Sequence, residues 1–85
     1  MRIRQEVEFW IEPRVEKDGT MWSAYCDELG MATCGITREE AEENLVKTLQ
    51  TLMRVLRRRG ILEQTLESVG IEFKTIETER MRVVA

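Results

Sequence analysis

Three groups of residues have the types and spacing to do chemistry: Cys26 and Cys34, the carboxylates Glu39, Glu40, Glu42 and Glu43, and the arginines Arg54, Arg57, Arg58 and Arg59. Thiols can attack a substrate or bind zinc, carboxylates can hold magnesium, and arginines can face phosphate. The chain contains no histidine. That removes the usual partner base of a nucleophilic thiol and leaves two cysteines short of a zinc ligand set. No cation adjoins either thiol in sequence, so both read as small buried apolar groups. Asp27 and Glu28 could join Glu43 or Glu72 around magnesium, but helix capping and solubility account for most acidic positions. Gly19, Gly30, Gly35, Gly60 and Gly70 are isolated and lack phosphate-loop spacing. The expectation is a chain with no catalytic residue, no metal and no cofactor.

With 85 residues the chain has room for one domain. Apolar residues at 42% and charged residues at 34% are proportions that fold rather than stay disordered. No apolar run approaches the ~18 residues of a spanning helix, and Met1-Arg2-Ile3-Arg4 leads into alternation rather than a signal-peptide core. A cytoplasmic protein with no membrane partner is expected. A formal charge of -3 gives no general attraction to nucleic acid, so only the cluster Arg54 to Arg59 is a candidate for RNA contact.

The elements that must position these groups can be read from periodicity. From Ile3 to Ile11 the residues alternate, with Ile3, Val7, Phe9 and Ile11 on one face and Arg4, Glu6, Glu8 and Glu12 on the other. This predicts one half-buried strand, stopped by Pro13. The Asp-Gly pair in Val15 to Thr20 predicts a turn, Met21 to Asp27 a return strand, and Met31 to Ile36 a third strand of one antiparallel meander. A turn centred on Glu28 and Leu29 pairs Tyr25 with Ala32 and Ser23 with Cys34, so Cys26 and Cys34 lie on opposite faces.

Thr37 followed by Glu40 predicts a reciprocal helix cap, with the remaining glutamates crowding the positive end of the helix dipole. Ala41, Leu45, Val46, Leu49, Leu52, Met53 and Leu56 continue as an apolar stripe up to Gly60. A short helix over Leu62 to Ser68 and a last strand over Ile71 to Glu77 complete the α+β order β-β-β-α-α-β. The domain is expected over residues 1–77, with 78–85 a short tail.

Trp10 falls on the polar face with Glu8 and Glu12, where an indole wants a cover, so it is a candidate partner anchor; Trp22 and Tyr25 are weaker ones.

The stretch "AYCDELGMATCGITREEAEENL", Ala24 to Leu45, resembles the HicB-like antitoxin family. That family typically reads Ala-Tyr-Cys-Pro-Asp-Leu-Pro-Gly-Cys, then Thr-x-Gly-x-Thr-x-Glu-Glu-Ala and an Asn three residues on. Ala24, Tyr25, Cys26, Leu29, Gly30, Thr33, Gly35, Thr37, Glu39, Glu40, Ala41 and Asn44 fall in step. The likeness covers about residues 7 to 59. The turn Asp27-Glu28-Leu29-Gly30 is shorter than the family's and lacks its prolines. Family members often append a helix-turn-helix or ribbon-helix-helix domain, and none is seen after residue 77, so direct DNA binding is not expected. The resemblance implies a partial ribonuclease-H-like fold without nuclease activity, self-association as a homodimer or higher oligomer, and binding of a small basic HicA-like toxin that cleaves messenger RNA. Glu39, Glu40, Glu42 and Glu43 would then steer the toxin, with Trp10 and Trp22 as anchors. The alternative is a solitary oligomeric module that binds RNA or regulates without a toxin.

Overall fold

A computed structural model describes residues 1–76. In it the alternating stretch from Ile3 to Ile11 is two strands, not one. Strand β1 (Arg2–Gln5) and strand β2 (Val7–Trp10) pair antiparallel, with Gln5 opposite Val7 and Ile3 opposite Phe9. The chain reverses through Glu6 alone, whose φ of 69° is the one left-handed non-glycine value among the described residues. The expected continuous strand is therefore corrected to a hairpin. Folding back lets Ile3 and Phe9 share one buried face, and the Ile11 amide closes the open end by donating to the Met1 carbonyl at 2.9 Å.

The meander is corrected as well. Strand β3 (Arg14–Asp18), read from sequence as part of a turn, pairs with β4 (Met21–Cys26), and β4 pairs with β5 (Met31–Gly35). The cause is the tightness of the turn. Asp18 lies opposite Met21, leaving only Gly19 and Thr20 between them, and Gly19 takes the positive φ that such a two-residue loop needs. A loop that short obliges the residues just before it to pair, so β3 displaces the Ile3–Ile11 stretch as the neighbour of β4. The register of β4 on β5 is as expected, with Tyr25 opposite Ala32 and Ser23 opposite Cys34.

Helix α1 (Arg38–Arg59) follows, then α2 (Leu62–Ser68) and strand β6 (Phe73–Thr75), which pairs with β2. The result is an α+β fold with two antiparallel sheets, β1-β2-β6 and β3-β4-β5, a long helix and a short one. The single meander of the expected order becomes five strands before α1 instead of three. The expected tail, residues 78–85, lies outside the described residues.

One helix serves both sheets. Ala41, Leu45, Leu49, Met53 and Leu56 of α1 are buried together with Ile3, Val7 and Phe9 of the first sheet and Ala24 and Cys26 of the second. Leu62, Leu66 and Ile71 close the far end. Each fully buried Leu contributes about 1.5 to 3 kcal/mol relative to exposure, so this stripe is the main source of cohesion between the sheets. Val46 and Leu52, expected on the same stripe, are only partly buried at its edges.

Both helices stop as their glycines predict. Gly60 adopts φ 76°, its amide donates to the Arg57 carbonyl at 3.0 Å, and the Ile61 amide donates to the Leu56 carbonyl at 3.0 Å. These are the two crossed bonds of a Schellman ending. The same pair recurs after α2, from Gly70 to Glu67 and from Ile71 to Leu66.

Candidate protein-binding surface

The segment in which strand becomes helix holds Cys34 and the four glutamates, and several of its side chains build a junction. Thr37 Oγ1 accepts the Glu40 amide at 3.0 Å, and Glu40 Oε1 accepts the Ile36 amide at 2.9 Å, one residue earlier than the reciprocal cap expected at Thr37. Thr33 Oγ1 donates to the Ala41 carbonyl at 2.8 Å, and Asn44 Nδ2 donates to the Cys34 carbonyl at 2.9 Å. Gly35 lets the first turn of α1 come close: a Cβ there would lie 2.6 Å from the Ala41 amide nitrogen. Among the acids, Glu42 pairs with Arg38 at 3.7 Å, while Glu39 and Glu43 are exposed.

Asp27, offered by the sequence as a magnesium ligand, instead takes the Arg14 guanidinium through both carboxylate oxygens at 3.1 Å. That guanidinium holds the Asp27 carboxyl below its ordinary range and lies 4.0 Å over the Tyr25 ring. Among the described residues no three histidine, cysteine or acidic side chains converge as metal ligands. Trp22 and Tyr25 project from opposite faces of β4. Trp22 packs against the core, with Lys17 Nζ 5.7 Å from its ring centre.

The arginine cluster divides. Arg57 is clamped between Glu63, at 2.7 and 3.2 Å, and Glu6, at 3.8 Å, which ties the end of α1 to α2 and to the β1-β2 reversal. The same guanidinium holds Glu63 below its ordinary range. Arg54, Arg58 and Arg59 are exposed.

The thiols part company too. Cys26 is buried, and burial pushes its thiol up; Cys34 is exposed, contrary to the expectation that both would be buried. Alternation across β5 turns Cys34 away from α1, because Thr33 and Gly35 take the helix side. Alkylation of the native protein should therefore label one thiol, Cys34, within minutes, and label Cys26 only on unfolding. Two native labels by mass spectrometry would contradict this placement.

The surface that remains open surrounds Trp10. On the outer side of the first sheet, Arg2 stands opposite Trp10, Arg4 opposite Glu8, and Glu8 opposite Lys74. Glu8 pairs with both Arg2 and Arg4 at 3.6 Å. Trp10 is 63% exposed, and its indole Nε1 donates to Glu12 Oε1 at 3.0 Å, which fixes the ring while leaving it uncovered. A cleft of about 540 Å³ opens beside it, lined by Arg2, Glu8, Phe9, Trp10, Glu72, Phe73 and Lys74. Two cations and two carboxylates balance in this lining, so the cleft has no bias toward phosphate. A rigid indole set among paired charges suits a protein surface that offers an apolar side chain ringed by polar groups.

Sequence reasoning found Trp10, offered Glu72 only as a magnesium ligand, and missed Arg2, Phe73 and Lys74. Arg2 is brought there by the β1-β2 reversal, and Glu72, Phe73 and Lys74 by β6 joining β2 from the far end of the chain. The alternation of Ile71 to Glu77 announced the strand without naming its neighbour. The structure places the other sequence candidates elsewhere: Trp22 and Tyr25 on the second sheet, Glu39 to Glu43 at the start of α1, and Arg54 to Arg59 at its end. Among the described residues no helix is long and apolar enough to cross a membrane. The chain matches no family model, no curated protein and no solved structure.

Proposed function

We propose that this protein is a non-catalytic binding module of the HicB-like kind, which neutralises a small basic HicA-like RNA-cleaving toxin by covering it. The observation that carries the reading is Trp10, a fixed and uncovered indole beside a cleft of balanced charge. Support for the resemblance comes from the junction, where Thr33, Gly35, Thr37, Glu40, Ala41 and Asn44 are tied together by contact or hydrogen bond. A motif whose members interlock this way specifies a fold more than a reaction. The lack of histidine and the buried Cys26 thiol favour binding over catalysis. Glu39 and Glu43, exposed at the start of α1, add negative potential that speeds encounter with a basic partner.

The test is co-expression with the product of the neighbouring small reading frame, scoring growth and co-purification. Trp10→Ala should weaken the complex by about 30-fold, the size of a central aromatic anchor. Its Tm should stay within a few degrees, since the side chain packs on no core. An unchanged affinity, or a neighbour that is neither toxic nor bound, would remove the proposal. The second reading, a solitary RNA-binding module, is favoured by Arg54, Arg58 and Arg59 exposed at one helix end. RNA binding that weakens steeply with salt would support it.

A further inference from the structure

We infer that the Trp10 cleft takes an arginine side chain of its docking partner, the guanidinium lying on the indole face and forking onto Glu72. The inference rests on the reading of that cleft as a docking surface and is independent of the partner being a toxin. The outer face of the first sheet is laid out in two cross-strand rows. In one, Arg4, Glu8 and Lys74 follow one another across β1, β2 and β6. In the other, Arg2 stands opposite Trp10, and continuing the β2-β6 register by one residue places Glu72 on the indole's far flank. Glu8 lies opposite Lys74, pairs with Arg4 at 3.6 Å, and draws Arg2 out of the second row at the same distance. What is left around the ring is acidic. Glu12 Oε1 accepts the indole N–H, and Glu72 is exposed, with no ion pair or side-chain hydrogen bond among the described residues.

The second sheet shows what such a set of groups holds. There the Arg14 guanidinium lies 4.0 Å over the Tyr25 ring while its Nε and Nη2 donate to the two Asp27 oxygens at 3.1 Å. Lys17 Nζ sits 5.7 Å from the centre of the Trp22 ring. Each of these rings receives its cation from the residue directly opposite on β3. Trp10 also has an arginine directly opposite, but Glu8 holds it, so an indole that is 63% exposed keeps a bare face with a carboxylate beside it. The π face attracts cations and repels anions, which sets the sign of the missing group. Planarity sets its type. A guanidinium stacks flat on a ring and presents a fork of N–H donors to a carboxylate, whereas an ammonium is a strongly hydrated point charge. Arginine's methylene stem supplies the apolar part that the fixed indole covers, and a cleft of about 540 Å³ admits the whole side chain.

Nitrogen-proton NMR of the full chain tests this, with the peptide acetyl-Gly-Arg-Gly-amide as probe. Its addition should move the Trp10 indole N–H signal, identified by its disappearance in Trp10→Phe, saturably in the millimolar range, while the Trp22 indole signal stays in place. The same peptide with citrulline, norleucine or lysine in place of arginine should bind at least about 3-fold more weakly. Glu72→Gln removes a charge from an exposed strand position and keeps the shape, so the fold should be unaffected. It should weaken arginine binding about 3- to 10-fold and leave the norleucine peptide unaffected. A Trp10 signal that does not move, equal binding of any control peptide, or an unchanged affinity in Glu72→Gln overturns the inference. Its failure differs from that of the proposed function. A toxin complex weakened by Trp10→Ala but indifferent to Glu72→Gln keeps the docking surface and overturns the arginine anchor. Arginine binding that Glu72→Gln weakens, in a chain that neither binds nor neutralises its neighbour, supports the anchor and removes the toxin.

Discussion

Leu49→Ala should remove about 3 to 4 kcal/mol of stability, as full truncations at rigid core sites do. Leu49 is fully buried at the middle of the α1 stripe, flanked by Leu45 and Met53, which are equally inaccessible. Two sheets rest on this stripe, and they share no strand. A cavity at Leu49 therefore loosens the grip of the helix on both at once. For a domain of this size each kcal/mol shifts Tm by about 4 to 8 °C, so a fall of about 15 to 25 °C is expected in a thermal melt followed at 222 nm. Leu49→Met, which keeps the volume, should cost less than about 1.5 kcal/mol. A loss below 1 kcal/mol for the alanine variant would mean that the helix is not seated as described.

Gly35→Ala should cost about 2 to 3 kcal/mol although it adds a single methyl group. The Cβ would meet the backbone nitrogen of Ala41 at 2.6 Å and the Glu40 Cβ at 2.9 Å. Backbone cannot swing aside as a side-chain tip can, so α1 must lift from the end of β5. Lifting it stretches the Thr33 to Ala41 and Asn44 to Cys34 hydrogen bonds, which lie on either side of Gly35. Glu40→Ala should not rescue the variant, because it leaves both the Ala41 nitrogen and its own Cβ in place. Urea denaturation of the single and double variants separates the cases: full rescue would show that the close contact is with the glutamate chain rather than the helix backbone.

The parts of this fold legible in sequence are those whose causes are local. Thr37, Glu40 and Gly60 bound α1 through groups a few residues apart, and the 3.6-residue stripe from Ala41 to Leu56 supplies its buried face. The hairpin at Glu6 was illegible for a definite reason. A one-residue reversal at an even position keeps every odd residue on the same face, so the alternation of Ile3, Val7, Phe9 and Ile11 is identical for one long strand and for two short ones. Strand β3 was hidden because Arg14, Glu16, Lys17 and Asp18 look like loop residues; they form a strand because a two-residue turn pairs them, on a polar edge. At the candidate surface, alternation put Trp10 among charges and the structure finds it exposed. The cleft beside it was beyond reach, since its far wall comes from a pairing between the two ends of the sequence.

That pairing fixes a timetable. Everything from Arg14 through the first turns of α1 is contiguous, so the β3-β4-β5 sheet and its helix junction can assemble as soon as that stretch leaves the ribosome. The other sheet must wait. Phe73–Thr75 pairs with Val7–Phe9, so the outer edge of β2 stays unpaired until the residues through Thr75 have been made. The wall made by Glu72, Phe73 and Lys74 arrives last. A nascent chain thus displays Trp10 without its cleft, and the cleft is complete only once Thr75 has emerged.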